Sequence, residues 1–250
     1  MMRCSRMSGR LAAIFMSGCL MAPGMATISP AAAQSGGNCN ALRQKAGTPQ
    51  ITMHSSAVPL KFDYSLPYRQ LSSLAGRSGT SANSKFGPVL GLAQVNFGEE
   101  AEFGLLMQSL PNGGWCAIVQ SVVFRLSFTE RRVMIAREIP KNTCIGKEVL
   151  AHEMSHIRAD EQWLDLMMPR LKSAMSRALA AQRPTRHSSR DAAVNAARKS
   201  IEQARRKTMA SLLADRDRRQ SAIDTPAEYR RVTRSCGGEV EQYVPELRRR

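Results

Sequence analysis

Alternation of apolar and polar residues divides the chain into a strand-rich first half and a helical second half. Residues 51–58 read as a strand. Phe62, Tyr64, Leu66 and Tyr68 alternate between Pro59 and Pro67, which predicts a short edge strand or an extended segment. Residues 69–75 fit one or two helical turns, and 76–87, rich in Ser, Gly, Thr and Asn, read as a loop. Residues 89–97 and 101–110 predict two strands joined by a turn at Gly98-Glu99-Glu100. Pro111-Asn112-Gly113-Gly114 is a strong turn. A strand over 115–128 follows, with Phe124, Leu126 and Phe128 alternating against Arg125, Ser127 and Thr129. Glu130-Arg131-Arg132 reads as a turn into a last strand, 133–139. The expectation is a small, mostly antiparallel sheet.

Beyond Pro140 the period lengthens. A helix is predicted over about 145–168, capped by Thr143 or Asn142 and ended by Pro169. Val149, Leu150, Met154, Ile157, Leu164 and Met168 form its apolar faces. A second helical stretch covers 170–181, then a polar linker, 182–189. Residues 191–223 read as a long helix with a sparse apolar stripe of Val194, Ile201, Met209, Leu212 and Leu213. Thr225-Pro226-Ala227-Glu228 is a capping box with proline at the first helical position. Cys236-Gly237-Gly238 is expected to end the folded part, and 34–49 to be a loose polar entry.

The chemistry sits on the first of these helices. His152-Glu153-Met154-Ser155-His156 is a His-Glu-x-x-His motif. Helical residues four apart share a face, so both imidazoles can meet one metal ion. Glu153 can then reach a water on that ion and act as general base, the arrangement of a zinc hydrolase. Leu150, Ala151, Met154, Ser155 and Ile157 carry no charge, as a buried helix requires, whereas Arg158 breaks the pattern. The competing reading is a surface helix with two exposed histidines.

The N-terminus sets the compartment. Arg3, Arg6 and Arg10, a mostly apolar stretch over 11–25, and Ala31-Ala32-Ala33 predict a signal peptide over 1–33, cleaved after Ala33. A lipoprotein anchored at Cys19 is the alternative. Gly18, Pro23 and Gly24 interrupt the apolar run, so it is a poor membrane span, and no other segment is a better one. A periplasmic or secreted protein is therefore expected, with residues 34–250 as one domain. Cys39, Cys116, Cys144 and Cys236 remain after cleavage, and an even count in an exported chain predicts two disulfides. Of three connectivities, Cys116 with Cys144 and Cys39 with Cys236 is preferred. No Cys-x-x-Cys spacing supports a thiolate zinc site.

The formal charge is +16, and three of those positives fall in the signal peptide, which leaves about +13. Most of the excess lies in the helical part, about 182–250. Outside the cytoplasm such a surface meets lipid head groups, lipopolysaccharide and cell-wall polymers rather than nucleic acid. The sequence thus supports two readings: a peptidase acting on peptide or protein substrates, and a non-catalytic protein binding an anionic envelope polymer or lipid surface.

Trp115-Cys116-Ala117, the strand pair, Cys144 and the His-Glu-x-x-His helix resemble the bacterial family of predicted secreted zinc-dependent proteases. The resemblance spans roughly 89–181. It implies an α+β, zincin-like fold, Zn2+ bound by His152 and His156, and Glu153 as base. In zincins a sheet edge pairs with extended substrate, and 133–139 is the candidate edge by position. The third ligand is open. Ala159 and Gln162 stand where the metzincin pattern has Gly and His, and no acid lies between Asp165 and Asp191 for a short gluzincin pattern. The candidates are Asp160, about 12 Å along a straight helix from His152; Glu161, where the family carries an acid; Asp191; and Glu228. Tyr229, Tyr243 and His187 are the candidates for stabilising an oxyanion.

Overall fold

A computed structural model describes residues 39–78 and 87–249. The expected signal peptide, and most of the expected 76–87 loop, lie outside these residues. The described chain opens not as a loose entry but as helix α1 (Cys39–Ala46), which buries Cys39, Leu42 and Ala46 against Leu110, Cys116 and Ile118. Strands β1 (Gln50–Ala57) and β2 (Lys61–Asp63) follow, then α2 (Tyr68–Ser78).

Two long strands, β3 (Gly91–Ser109) and β4 (Trp115–Ile135), form an antiparallel hairpin across the expected Pro111–Gly114 turn. β1 and β2 lie in tandem along the other edge of β4, and both run parallel to it. Two of the three pairings are therefore parallel, and the sheet is mixed rather than mostly antiparallel. The zincin-like label goes beyond this architecture of one mixed sheet and several helices.

The two turns expected inside these strands do not form. Glu99 instead reaches Arg205 on a later helix, at 2.5 Å. Glu130 accepts from Asn96 at 2.6 Å across the ladder, and Arg131 pairs with Glu161. Charges that read as turn signals are cross-strand and tertiary partners. Register shifts at Asn96/Phe97 and Gly104/Leu105 absorb the irregularity as bulges. Of the candidate substrate edge at 133–139 only Val133–Ile135 is strand, the end of β4, and it is no edge: Val133 pairs with Ala93 on one side and Phe62 on the other. Among the described residues, the outer side of β3 has no strand partner.

Helix α3 (Cys144–Ala180) is one helix, where a stop at Pro169 was expected. Proline removes one donor, and the orphaned acceptor is the carbonyl of Asp165. Both residues are exposed, so water can serve that carbonyl. Meanwhile Trp163, Met167, Leu171, Met175 and Leu179 continue a buried stripe past the proline. Thr143 caps the helix start by accepting from the Gly146 N–H at 3.1 Å. Gly146 is required there, because a Cβ would collide with the Pro140 carbonyl oxygen.

Helix α4 (Arg190–Ile223) returns antiparallel along α3. Both cover one face of the sheet, around Val122, Phe124, Leu126 and Phe128. Asp224 ends α4, and Thr225 at once caps α5 (Pro226–Arg234) by accepting from the Glu228 N–H at 3.1 Å. The fold does not stop at Cys236. A 3-10 turn (Ser235–Gly238), α6 (Val240–Tyr243) and a second 3-10 turn (Pro245–Arg249) follow, and Val240 and Val244 are buried.

The disulfides are Cys39–Cys116 and Cys144–Cys236, not the preferred pairing. The first staples α1 to β4, and the second ties the start of α3 to the turn after α5. They close loops of 77 and 92 residues, each worth about 4–5 kcal/mol in the chain-entropy account. Two disulfides suit an oxidising compartment. No helix among the described residues is long and apolar enough to cross a membrane.

Candidate metal centre

The site forms where the first turns of α3 meet the end of α4. On α3, His152, His156 and Asp160 recur every fourth residue. On α4 and its cap, Arg216, Gln220 and Asp224 do the same. The helices are antiparallel, so the two stripes meet in reverse order. Asp224 faces both histidines, Gln220 faces His156 and Asp160, and Arg216 faces Asp160.

Asp224 Oδ1 lies 3.2 Å from His152 Nε2 and 3.1 Å from His156 Nε2. These three donor atoms fall within 4.8 Å of one another. Tetrahedral zinc with bonds of about 2.0–2.1 Å has ligand atoms about 3.3–3.4 Å apart, so this donor set fits the ion. The histidine side chains are only 10 % and 12 % exposed, against the reading of a surface helix.

The far nitrogen of each imidazole is also engaged. Gln220 donates its amide to the His156 carbonyl (3.1 Å) and to Asp160 (2.7 Å). Its oxygen is thereby aimed at His156 Nδ1, at 2.5 Å. An acceptor at Nδ1 holds the proton there and leaves the Nε2 lone pair for a metal. Glu228 lies 3.4 Å from His152 Nδ1 and is itself held by Arg231, which also grips Glu148 at 2.7 Å. Asp160 takes a two-pronged grip from Arg216, at 2.7 and 2.8 Å.

Each candidate from the sequence now has a position. His152 and His156 converge. Asp160 is buried but committed to Arg216 and Gln220, and Glu161 pairs with Arg131 on the sheet. Asp191 sits in the first turn of α4, at the opposite end of that helix from the site. Glu228 stands behind His152 rather than among the converging atoms. The carboxylate that joins the histidines, Asp224, was not among the four. Its signal was the pair of complementary stripes, legible only once α3 and α4 are known to be antiparallel. Cys144, Cys236 and Glu239 also cluster, but both sulfurs are in the disulfide.

Glu153 is buried, 5 % exposed, beside the strand entering β3. The fit depends on Gly91, because a Cβ there would lie 2.5 Å from Glu153 Oε1. The Ala93 N–H donates to the carboxylate. Burial nevertheless pushes the Glu153 pKa above the usual range, against the pull of His156 and His152. Burial would lower the pKa of both histidines, but the hydrogen bond to Asp224 and the Glu153 charge overcome it. His152 is raised, and His156 is raised to about 9. Burial opposes ionisation of Asp224, yet the two histidine hydrogen bonds hold its pKa well below the carboxylate range.

Of the three oxyanion candidates, Tyr229 is at the site. Its ring lies 6.2 Å from that of His152, tilted, and burial raises its pKa. Tyr243 approaches Glu239, which accepts from Ile145 at the start of α3. His187 bridges Trp115 beside the β3–β4 turn. Neither joins the cluster.

No family model, curated protein or solved structure matches the chain. The resemblance to secreted zinc proteases rests on the motif residues alone.

Proposed function

We propose that the chain is a zinc-dependent metallopeptidase, with His152, His156 and Asp224 holding the ion and Glu153 as general base. The observation that carries this reading is the convergence of two imidazole Nε2 atoms and one carboxylate oxygen beside a buried glutamate. Zinc, when bound, supplies a Lewis acid that polarises a peptide carbonyl and acidifies water to a pKa of about 7.

The protein's own groups supply the rest. Glu153 accepts the proton of the attacking water, and its raised pKa suits it to hand that proton to the leaving amine. Gln220 and Glu228 hold the imidazoles in the ligating orientation. Tyr229 is the residue nearest to hand for an oxyanion. The outer side of β3 passes Glu153 at Gly91 and Ala93, and it replaces 133–139 as the edge for an extended substrate. The disulfides fit action in the periplasm or outside the cell.

The test is Glu153→Gln. It is expected to bind zinc like the parent and to lose peptide hydrolysis by several orders of magnitude. Unchanged hydrolysis would reject the mechanism. A second reading has its own observation: bases crowd the exposed faces of α4 and the end of α3. In that reading the protein binds anionic envelope polymer or lipid, and binding weakens with salt and survives Glu153→Gln.

A further inference from the structure

A half-open cavity adjoins Glu153 and His152. Its walls are Val89 and Leu90 from the segment entering β3, Val149 from α3, Val232 from α5, and Leu247 from the C-terminal 3-10 turn. Apart from His152 and Glu153, no lining residue is ionised at neutral pH.

Each wall is tied down separately. Val89 donates its N–H to Ser72 Oγ at 3.0 Å, and the Leu90 carbonyl accepts from Ala136 at 2.8 Å. The disulfide Cys144–Cys236 fastens the end of α5 to α3. Leu247 donates to the Val244 carbonyl at 3.0 Å. Its neighbour Glu246 accepts from the Tyr68 hydroxyl and from Arg69, the latter at 2.7 Å. The C-terminal turn is thereby pinned to α2, and its leucine forms one wall of the cavity.

We propose that this cavity receives the substrate side chain next to the cleaved bond and selects an uncharged, apolar one, with the C-terminal turn as a specificity wall. The proposal rests on the metallopeptidase reading. An apolar side chain exchanges water for contact with four aliphatic walls. A cationic side chain would lose hydration and find only Glu153, the base the reaction needs. An anionic one would face that same carboxylate. Preformed, mostly apolar concavities with a few polar groups at one end are the usual form of a selective site.

The test uses three peptides that differ only in the residue beside the scissile bond: Leu, Lys or Asp. The full chain is expected to cleave the Leu peptide with a kcat/KM at least tenfold above the other two. Val232→Asp should erase most of the advantage over Lys. Leu247→Ala, which removes the C-terminal wall, should shift preference from the Leu peptide towards a fourth peptide with Phe at that position. Equal cleavage of all three peptides, or variants that fold and hold zinc yet keep the parent order, would overturn the proposal. Binding of the same peptides to Glu153→Gln separates the two ideas. A tighter Leu peptide with no turnover by the parent sustains the cavity and sinks the peptidase. No binding preference sinks the cavity whatever the parent cleaves.

Discussion

From Trp163 onward, α3 meets α4 and the sheet through Trp163, Met167, Leu171, Met175 and Leu179, opposite Ile201, Met209 and Leu212. Before it, the same face of α3 carries His152, His156 and Asp160, opposite Asp224, Gln220 and Arg216. The spacing hardly changes; the residue type does. Both helices switch at the same level, where Trp163 donates its indole N–H to the Leu212 carbonyl at 2.8 Å. One half of the hairpin removes apolar surface from water, about 1.5–3 kcal/mol for each large side chain fully buried. The other half buries ionisable groups, which costs stability unless each finds a partner. A helix pair that gives part of its contact to such groups has a candidate functional end, and the apolar end holds that geometry in register.

The largest effect is expected at Trp163. Trp163→Ala removes a fully buried ring and is expected to cost about 3–5 kcal/mol in urea denaturation, with or without zinc. A cost below 1 kcal/mol would mean that the apolar half is not what stabilises the hairpin.

Gln220→Leu acts on the polar half alone. Zinc affinity is expected to fall about 10–100-fold, and the metal-free protein to lose about 1–3 kcal/mol, because buried Asp160 and the His156 carbonyl lose the Gln220 amide. Gln220→Glu keeps an acceptor at His156 Nδ1 but cannot donate to the His156 carbonyl and sets a second carboxylate against buried Asp160, so it should recover little of the affinity.

A smaller effect should appear with pH in the metal-free protein. The folded-state pKa of His156, about 9, lies above its unfolded value of about 6.5. Its contribution is therefore fully present below pH 6.5 and lost as pH rises through 9. The melting temperature should decline across that window, and less so in His156→Gln. Zinc affinity should rise over the same window, because the ion displaces that proton.

The smallest effect belongs to the exposed pair Arg125–Glu102. Arg125→Ala should shift stability by less than about 1 kcal/mol and leave zinc affinity unchanged.

Much of this was legible in the chain, and the rest failed for definable reasons. The hairpin turn, the strand at 51–58, the Thr225 cap and the long helix after Ser189 follow local rules of period and capping; the Glu228 half of the expected capping box turns instead to Arg231 and His152. The parallel run of β1 and β2 does not, because alternation encodes a strand's face and not its direction. Gly98-Glu99-Glu100 and Glu130-Arg131-Arg132 read as turns because their partners, Arg205, Asn96 and Glu161, are distant in sequence. Pro169 failed to end α3 because the packing of Met167 and Leu171 outweighs one lost hydrogen bond. At the site, the histidine pair is a local pattern on one helix. Asp224 lies 68 residues beyond His156, and only the antiparallel return of α4 brings it there.

Asp224, rather than Asp160, Glu161, Asp191 or Glu228, is the carboxylate proposed to complete the metal site. Zinc content of the purified chain, measured beside Asp224→Ala and Glu228→Ala, distinguishes these carboxylates. One zinc per parent chain, lost in Asp224→Ala and retained with weaker affinity in Glu228→Ala, is the expected result. Full zinc in Asp224→Ala, or none in the parent after reconstitution, would contradict it.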